Sequence, residues 1–153
     1  MPSYRPLVLI NGRIQQLPLN GTLDARVQEV DAIELQAKEA ITAAGMAVYS
    51  NAGFQCMLAD ADDDTKAEVI GLALTSAALD AYVTVLTDGV IEVTDWTDAA
   101  GSTTLTPGTT YYLSGTAGVL TATPPTTGNV VYIGRALTPT RLEISLERPV
   151  KLA

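Results

Sequence analysis

The densest chemistry in this sequence is a run of carboxylates, Asp60, Asp62, Asp63 and Asp64. Its Asp-x-Asp-x-Asp opening is that of a calcium loop. Such a loop needs Gly at its sixth position and a bidentate Glu at its twelfth, where this chain has Thr65 and Gly71. A solvated turn between strands accounts for the cluster, and no metal site is assigned. Cys56 is the single cysteine, so there is no internal disulfide. It falls in an apolar-polar alternation, and the chain has no histidine to activate it, so it reads as a buried structural thiol. The same absence rules out a Ser-His-Asp arrangement and removes the commonest metal ligand. No Gly-rich phosphate loop is present. Tyr111, Tyr112 and Trp96 have the side chains that stack on sugar rings, although core or interface packing explains them more simply. Asn20-Gly21-Thr22 is a glycosylation acceptor only in a secretory context. No catalytic residue and no cofactor is assigned, and the expectation is a protein that is not an enzyme.

Bulk composition narrows the partners. The chain has 153 residues, a formal net charge of −8 and 47% hydrophobic residues, enough for a real core. An acidic chain has no basic stripe to neutralise phosphates, so direct nucleic-acid binding is disfavoured. There is no polybasic run for an anionic membrane. No stretch approaches the length of a membrane span, and Leu7–Ile10 is too short for a signal segment. The expectation is a soluble protein made in a cytoplasm. Aromatics are only 5%, so the core is built of small pieces.

These residues must be held by three kinds of element. Residues 1 to 21 read as an arm: Leu7–Ile10 and Arg13–Leu17 flank Asn11-Gly12, a pair suited to a type I′ hairpin turn, between Pro6 and Pro18. A lone two-stranded ribbon is marginal in water, so the arm either folds back on the body or docks on something else. Residues 22 to 45 read as a helix, with Thr22 as cap, no Pro or Gly from Leu23 to Ala44, and Gly45 as stop. Val30, Ile33, Ala37, Ala40 and Ala44 recur at helical spacing, flanked by Val27 and Ile41. Two readings fit: an amphipathic helix packed on its own domain, or a short coiled coil between subunits, whose β-branched seam leans towards trimers.

From Met46 onward the chain reads β, and a repeat organises it. Ile70-Gly71-Leu72-Ala73-Leu74-Thr75 returns as Ile133-Gly134-Arg135-Ala136-Leu137-Thr138, and Ala47–Ser50 has a loose counterpart in Thr110–Leu113. Alternating runs follow each copy, Tyr82–Leu86 in one and Arg141–Leu146 in the other, the second after a shorter interval. Ala81–Leu86 and Val90–Val93 are expected to pair around Thr87-Asp88-Gly89. The fold class is therefore mainly β, with a hairpin arm, one α-helix and a duplicated β module (about 46–94 and 104–153) forming a sandwich or barrel in a head over 46–153.

Two stretches carry a family resemblance. The opening Arg5-Pro6-Leu7-Val8-Leu9-Ile10-Asn11-Gly12-Arg13-Ile14-Gln15-Gln16-Leu17-Pro18 looks like the N-terminal arm of tailed-bacteriophage structural proteins. The strings Leu105-Thr106-Pro107-Gly108, Tyr111-Tyr112-Leu113-Ser114, Gly118-Val119-Leu120-Thr121, Ile133-Gly134-Arg135-Ala136-Leu137 and Leu142-Glu143-Ile144 are similar to phage capsid decoration (cement) and head-fibre proteins. The resemblance implies a homotrimer with a β-rich head on a capsid surface, bound to the major capsid protein through its N-terminal arm. The capsid contact would then use Leu7, Leu9, Ile14 and Leu17 as apolar anchors with Arg5 and Arg13 as charged partners. The helix would be a three-fold stalk lined by Val27, Val30, Ile33, Ala37 and Ile41. The expected location is the virion. Related strings also occur in tail fibres and baseplate modules, so the alternative is an attachment module that meets a host glycan or receptor.

Overall fold

The computed structural model describes residues 31–153 in full, together with the backbone of two short strands ahead of them. Those two strands are β1 (Leu7–Ile10) and β2 (Arg13–Gln16), paired antiparallel with Leu9 opposite Ile14 and Ile10 opposite Arg13. This register leaves Asn11-Gly12 as the two-residue link, the hairpin expected from the sequence.

The first module comprises β3 (Ala32–Ala37), β4 (Ala47–Ala52), β5 (Gln55–Leu58), β6 (Val69–Ala73) and β7 (Tyr82–Leu86). They form a closed barrel in the order β3-β5-β4-β6-β7, sealed by a parallel contact in which Gln36 faces Gln55 and Ala37 faces Cys56. Closure removes both sheet edges. The interior is made of small and medium side chains, among them Leu35, Ala37, Val48, Cys56, Leu72, Val83 and Val85.

Here the structure corrects the part of the helix expected over 22–45 that falls on the described residues. Residues 32–37 are strand, paired along their length with β7 from Ala32 opposite Leu86 to Gln36 opposite Tyr82. The segment Ala-Ile-Glu-Leu-Gln-Ala satisfies an alternating period as well as a helical one, since Leu35 and Ala37 turn inward while Glu34 stays exposed. Hydrogen bonding to β7 and β5 decides between them, a tertiary choice that local propensity does not register. Beyond β3, Ile41 forms an isolated bridge with Ala77, and no helix occupies 32–45. The expected stalk residues before Asp31 lie outside the described residues.

The second module comprises β8 (Gly89–Glu92), the single-turn helix α1 (Thr97–Ala100), β9 (Thr110–Leu113), β10 (Leu120–Thr121), β11 (Asn129–Val130), β12 (Tyr132–Ala136), β13 (Arg141–Ile144) and the terminal β14 (Val150–Lys151). Its sheet runs β10-β9-β12-β13-β8, and β11 pairs with β14. The hairpin expected between Ala81–Leu86 and Val90–Val93 does not form. β8 pairs instead with β13, from Arg141 opposite Glu92 to Ile144 opposite Gly89. The repeated unit therefore begins at β3 in one copy and at β8 in the other, not near residues 46 and 104. Ala32-Ile33-Glu34-Leu35 and Val90-Ile91-Glu92-Val93 are its opening strands.

The duplication holds to the level of register. Ala47 faces Leu72, Val48 faces Gly71 and Tyr49 faces Val69 in the first module. Thr110 faces Arg135, Tyr111 faces Gly134 and Tyr112 faces Tyr132 in the second. The irregularity beside the glycine recurs in both. That glycine is required at each site. A Cβ on Gly71 would run into the Leu86 carbonyl oxygen, and a Cβ on Gly134 into the Glu143 carbonyl oxygen, so the neighbouring strand comes too close for any side chain.

The modules pack through backbone hydrogen bonds, a side-chain clasp at Asp64 and one large buried side chain. The turn between β9 and β10 docks on the first module: Ala47 N–H donates to Gly118 O at 2.9 Å, Gly118 N–H to Ala59 O at 2.7 Å, and Ala61 N–H to Ser114 O at 3.1 Å. Trp96 is fully buried beside them, and a Cβ on Gly45 would sit 2.6 Å from its ring. Gly45 also has a φ of +87°, so Gly is favoured there for backbone and for space.

Candidate functional site

The acidic run sits in the loop between β5 and β6, and its geometry is that of a turn. Asp60 accepts the Asp62 N–H at 2.9 Å, and one oxygen of Asp63 accepts both the N–H (2.9 Å) and the hydroxyl (2.6 Å) of Thr65. Asp64 accepts the Asn129 side-chain N–H at 3.0 Å and an ammonium hydrogen of Lys151. Asn129 is buried and also donates to Ala61 O at 3.0 Å, so the loop is fastened to β11 and β14 of the other module. The Thr65 hydroxyl and N–H hold the Asp63 carboxyl below the usual carboxylate range. Lys151, followed by Asn129, does the same for Asp64. Asp63 is spent on its own turn and Asp64 on clasping the two modules, and among the described residues no cluster of His, Cys, Asp or Glu has the arrangement of a metal site.

Cys56 lies on β5, fully buried in the barrel. Burial pushes its thiol pKa up, and the nearby Glu39 carboxylate adds to the shift, so this is the opposite of an activated nucleophile. The aromatic residues considered for sugar stacking are occupied as well. Trp96 donates its indole N–H to Thr140 O at 3.4 Å from inside the core. The buried Tyr111 accepts the Thr106 N–H at 3.1 Å on its hydroxyl. Tyr112 is half-buried, edge-to-face with Tyr132 at 6.1 Å. The buried Trp96 and Tyr111 present no open ring face as a platform.

The residues expected to contact a capsid fall in two groups. Leu7, Leu9, Arg13 and Ile14 lie on the β1–β2 hairpin, which brings Leu9 opposite Ile14, whereas Arg5 and Leu17 lie outside the described residues. The seam candidates are not brought together. Val27 and Val30 lie outside the described residues, Ile33 is 42% exposed on β3, and Ala37 and Ile41 are buried within their own chain's core. A subunit seam through Ala37 and Ile41 is incompatible with that burial.

The structure also exposes residues that the sequence reading passed over. Phe54, Tyr82 and Leu79 are 82%, 67% and 60% exposed, all at the same end of the barrel. Phe54 O accepts the Gln36 N–H at 2.8 Å, Tyr82 is the cross-strand partner of Gln36, and Asp80 N–H donates to Ala37 O at 2.7 Å. The available signal was positional: Phe54 is the chain's one phenylalanine, and it directly follows the turn glycine Gly53.

The fold is a closed barrel joined to a rebuilt, open copy of itself, with Asp60, Asp63 and Asp64 held in a turn and Cys56 sealed in the barrel. The chain matches the phage cement protein family over residues 25–142, a span that takes in both modules as far as β13, and it belongs to that family. It is a structural protein of the phage virion, associated with the capsid. No curated protein matches the chain. Among the described residues no helix is long and apolar enough to cross a membrane.

Proposed function

We propose that the protein is a trimeric head decoration protein that binds the assembled capsid, through its major capsid protein, and stabilises it without chemical catalysis. Membership in the cement protein family carries this reading. A protein that binds the assembled shell and not its dissociated subunits shifts the equilibrium towards the shell by mass action. Three copies of a weak contact on one trimer act at high effective concentration, so each contact can be modest.

The N-terminal arm is the docking element in this proposal. Leu7, Leu9, Ile14 and Leu17 supply apolar contact, and Arg5 and Arg13 supply charge. The hairpin register supports it, because a two-stranded ribbon gains stability by packing on a larger surface. The trimer contact falls to the chain ahead of and around β3, where Val27, Val30 and Ile33 stand.

The test mixes purified protein with expanded shells that lack it, alongside a version without residues 1 to 20, with oligomeric mass measured for both. Saturable binding by the intact trimer only, with shells then surviving higher temperature, is the expected result. Binding by both versions would move the contact from the arm to the β modules. No binding by either would end the decoration reading in favour of an attachment role elsewhere on the virion.

A further inference from the structure

The exposed end of the first barrel is a second contact surface. Phe54, Tyr82, Gln36, Gln55, Ala52 and Gly53 line one shallow depression, and Leu79 stands on the adjoining loop. None of these side chains is charged, on a chain whose net charge is −8. Lys38 and Asp80, on the adjoining stretches of chain, are paired with each other at 2.5 Å. The Gln36 side-chain N–H is committed to Asp80 O at 3.1 Å, which fixes the floor of the depression.

The position of Phe54 is informative. The barrel has no use for it: Gly53 turns the chain, β5 starts at Gln55, and the ring stands 82% exposed at the tip between two strands. Removing such a ring costs the fold almost nothing, whereas leaving it in water with a neighbouring Tyr and Leu is unfavourable. Rigid, uncharged, aromatic-centred patches of this kind are the usual anchors of protein interfaces. The occupant is narrowed by the family, whose members associate with a capsid.

We infer that this aromatic end of the first barrel is a contact with the capsid shell, with Phe54 seated in an uncharged apolar depression on the outer shell surface. The inference rests on the decoration reading and adds a contact to it that is separate from the arm. The patch meets β3 at its Gln36 end, whereas the chain enters β3 at the opposite end, where Thr87 N–H donates to Asp31 O at 2.7 Å. A trimer engaged through arm and barrel would hold the shell at two points per subunit. The two contacts differ in character. An arm contact that uses Arg5 and Arg13 weakens as salt is raised, and an apolar ring contact does not.

The experiment uses the full chain and two variants, Phe54→Ala and Tyr82→Ala, with shell binding measured at low and high salt and free protein examined by sedimentation velocity. The expected result is shell affinity lower by about tenfold or more for Phe54→Ala, with melting temperature and sedimentation unchanged. The residual binding should be more salt-sensitive than that of the intact protein. Equal shell binding by intact protein and both variants would overturn the inference while leaving the decoration reading standing. A changed oligomeric state in free Phe54→Ala would also overturn it, because the patch would then lie between subunits. If the intact protein fails to bind shells, the decoration reading falls and takes this contact with it.

Discussion

The two modules share one register and differ at one seam. In the first, β3 and β5 pair in parallel and close the barrel. Their counterparts in the second, β8 and β10, are the outer strands of an open sheet. The connection after the opening strand explains what takes the missing pair's place. Residues 38–46 join β3 to β4, whereas the longer 93–109 joins β8 to β9 and carries α1, which packs beside β10. Trp96 enters the core from this segment, and its ring reaches Gly45 of the first module. The two modules thus share one strand framework, and the longer loop of the second turns its open seam into an inter-module joint. A backbone seam can be exchanged for a side-chain plug when the plug also buries a large apolar surface.

The sharpest way to break this comparison is to remove the plug. Trp96→Ala deletes a fully buried indole from the open module and its contact with Gly45, so a loss of about 3–5 kcal/mol is expected in denaturant unfolding. The closed barrel should hold its structure longer. Cys56, buried in that barrel, reports on this directly through its reaction with a thiol reagent. Thiol protection lost together with the second module would show that the first barrel depends on its neighbour for stability. Next in size are the matched glycines. Gly71→Ala and Gly134→Ala each push a Cβ against backbone, and each should cost about 1–3 kcal/mol, or prevent folding where the strand cannot move. Because the clash is the same in kind, unequal penalties would mean that closure stiffens the first module more than the plug stiffens the second.

The same comparison shows how much of the molecule was legible in its residues. The repeated Ile-Gly-x-Ala-Leu-Thr identified β6 and β12 because a glycine forced by a neighbouring carbonyl is kept at fixed spacing. The Asn-Gly hairpin was readable because its turn chemistry is local. The opening strand was not, since Ala32–Ala37 fits helical and alternating periods alike, and its partner β7 lies nearly fifty residues downstream. Comparison of Ala32-Ile33-Glu34-Leu35 with Val90-Ile91-Glu92-Val93 held the missing clue, and it would have assigned both as strands and moved the repeat boundary. The aromatic end at Phe54 was only hinted at by its place after Gly53, because no sequence pattern separates a ring that packs inward from one left standing at a hairpin tip.

The smallest expected effect comes from acid. Each module has an Asp-x-Thr turn in which one carboxylate oxygen accepts the hydroxyl and N–H of the Thr two residues on, Asp63 with Thr65 and Asp95 with Thr97. Those bonds hold both carboxyls below the usual range, led by the Thr hydroxyl in each case. Asp64 is held down by Lys151 and Asn129, across the module boundary. A carboxyl whose pKa is depressed in the folded state stabilises the fold above the unfolded value, about 3.9, and that contribution is lost as pH falls through the folded value. Thermal unfolding should therefore be flat near neutrality and decline only below about pH 4. All three groups are solvent-exposed, so each contributes little. Asp63→Asn and Asp95→Asn should each flatten the acid limb, and added salt should leave the Asp95 effect in place because its partner Thr97 is neutral. Asp64→Asn, and to a smaller degree Asp63→Asn, should lose part of their effect in salt, since Lys151 and Lys66 are ions. If salt changed all three equally, the turns would be acting through net charge rather than through their hydrogen bonds. A decline beginning above pH 6 would point away from these carboxylates altogether.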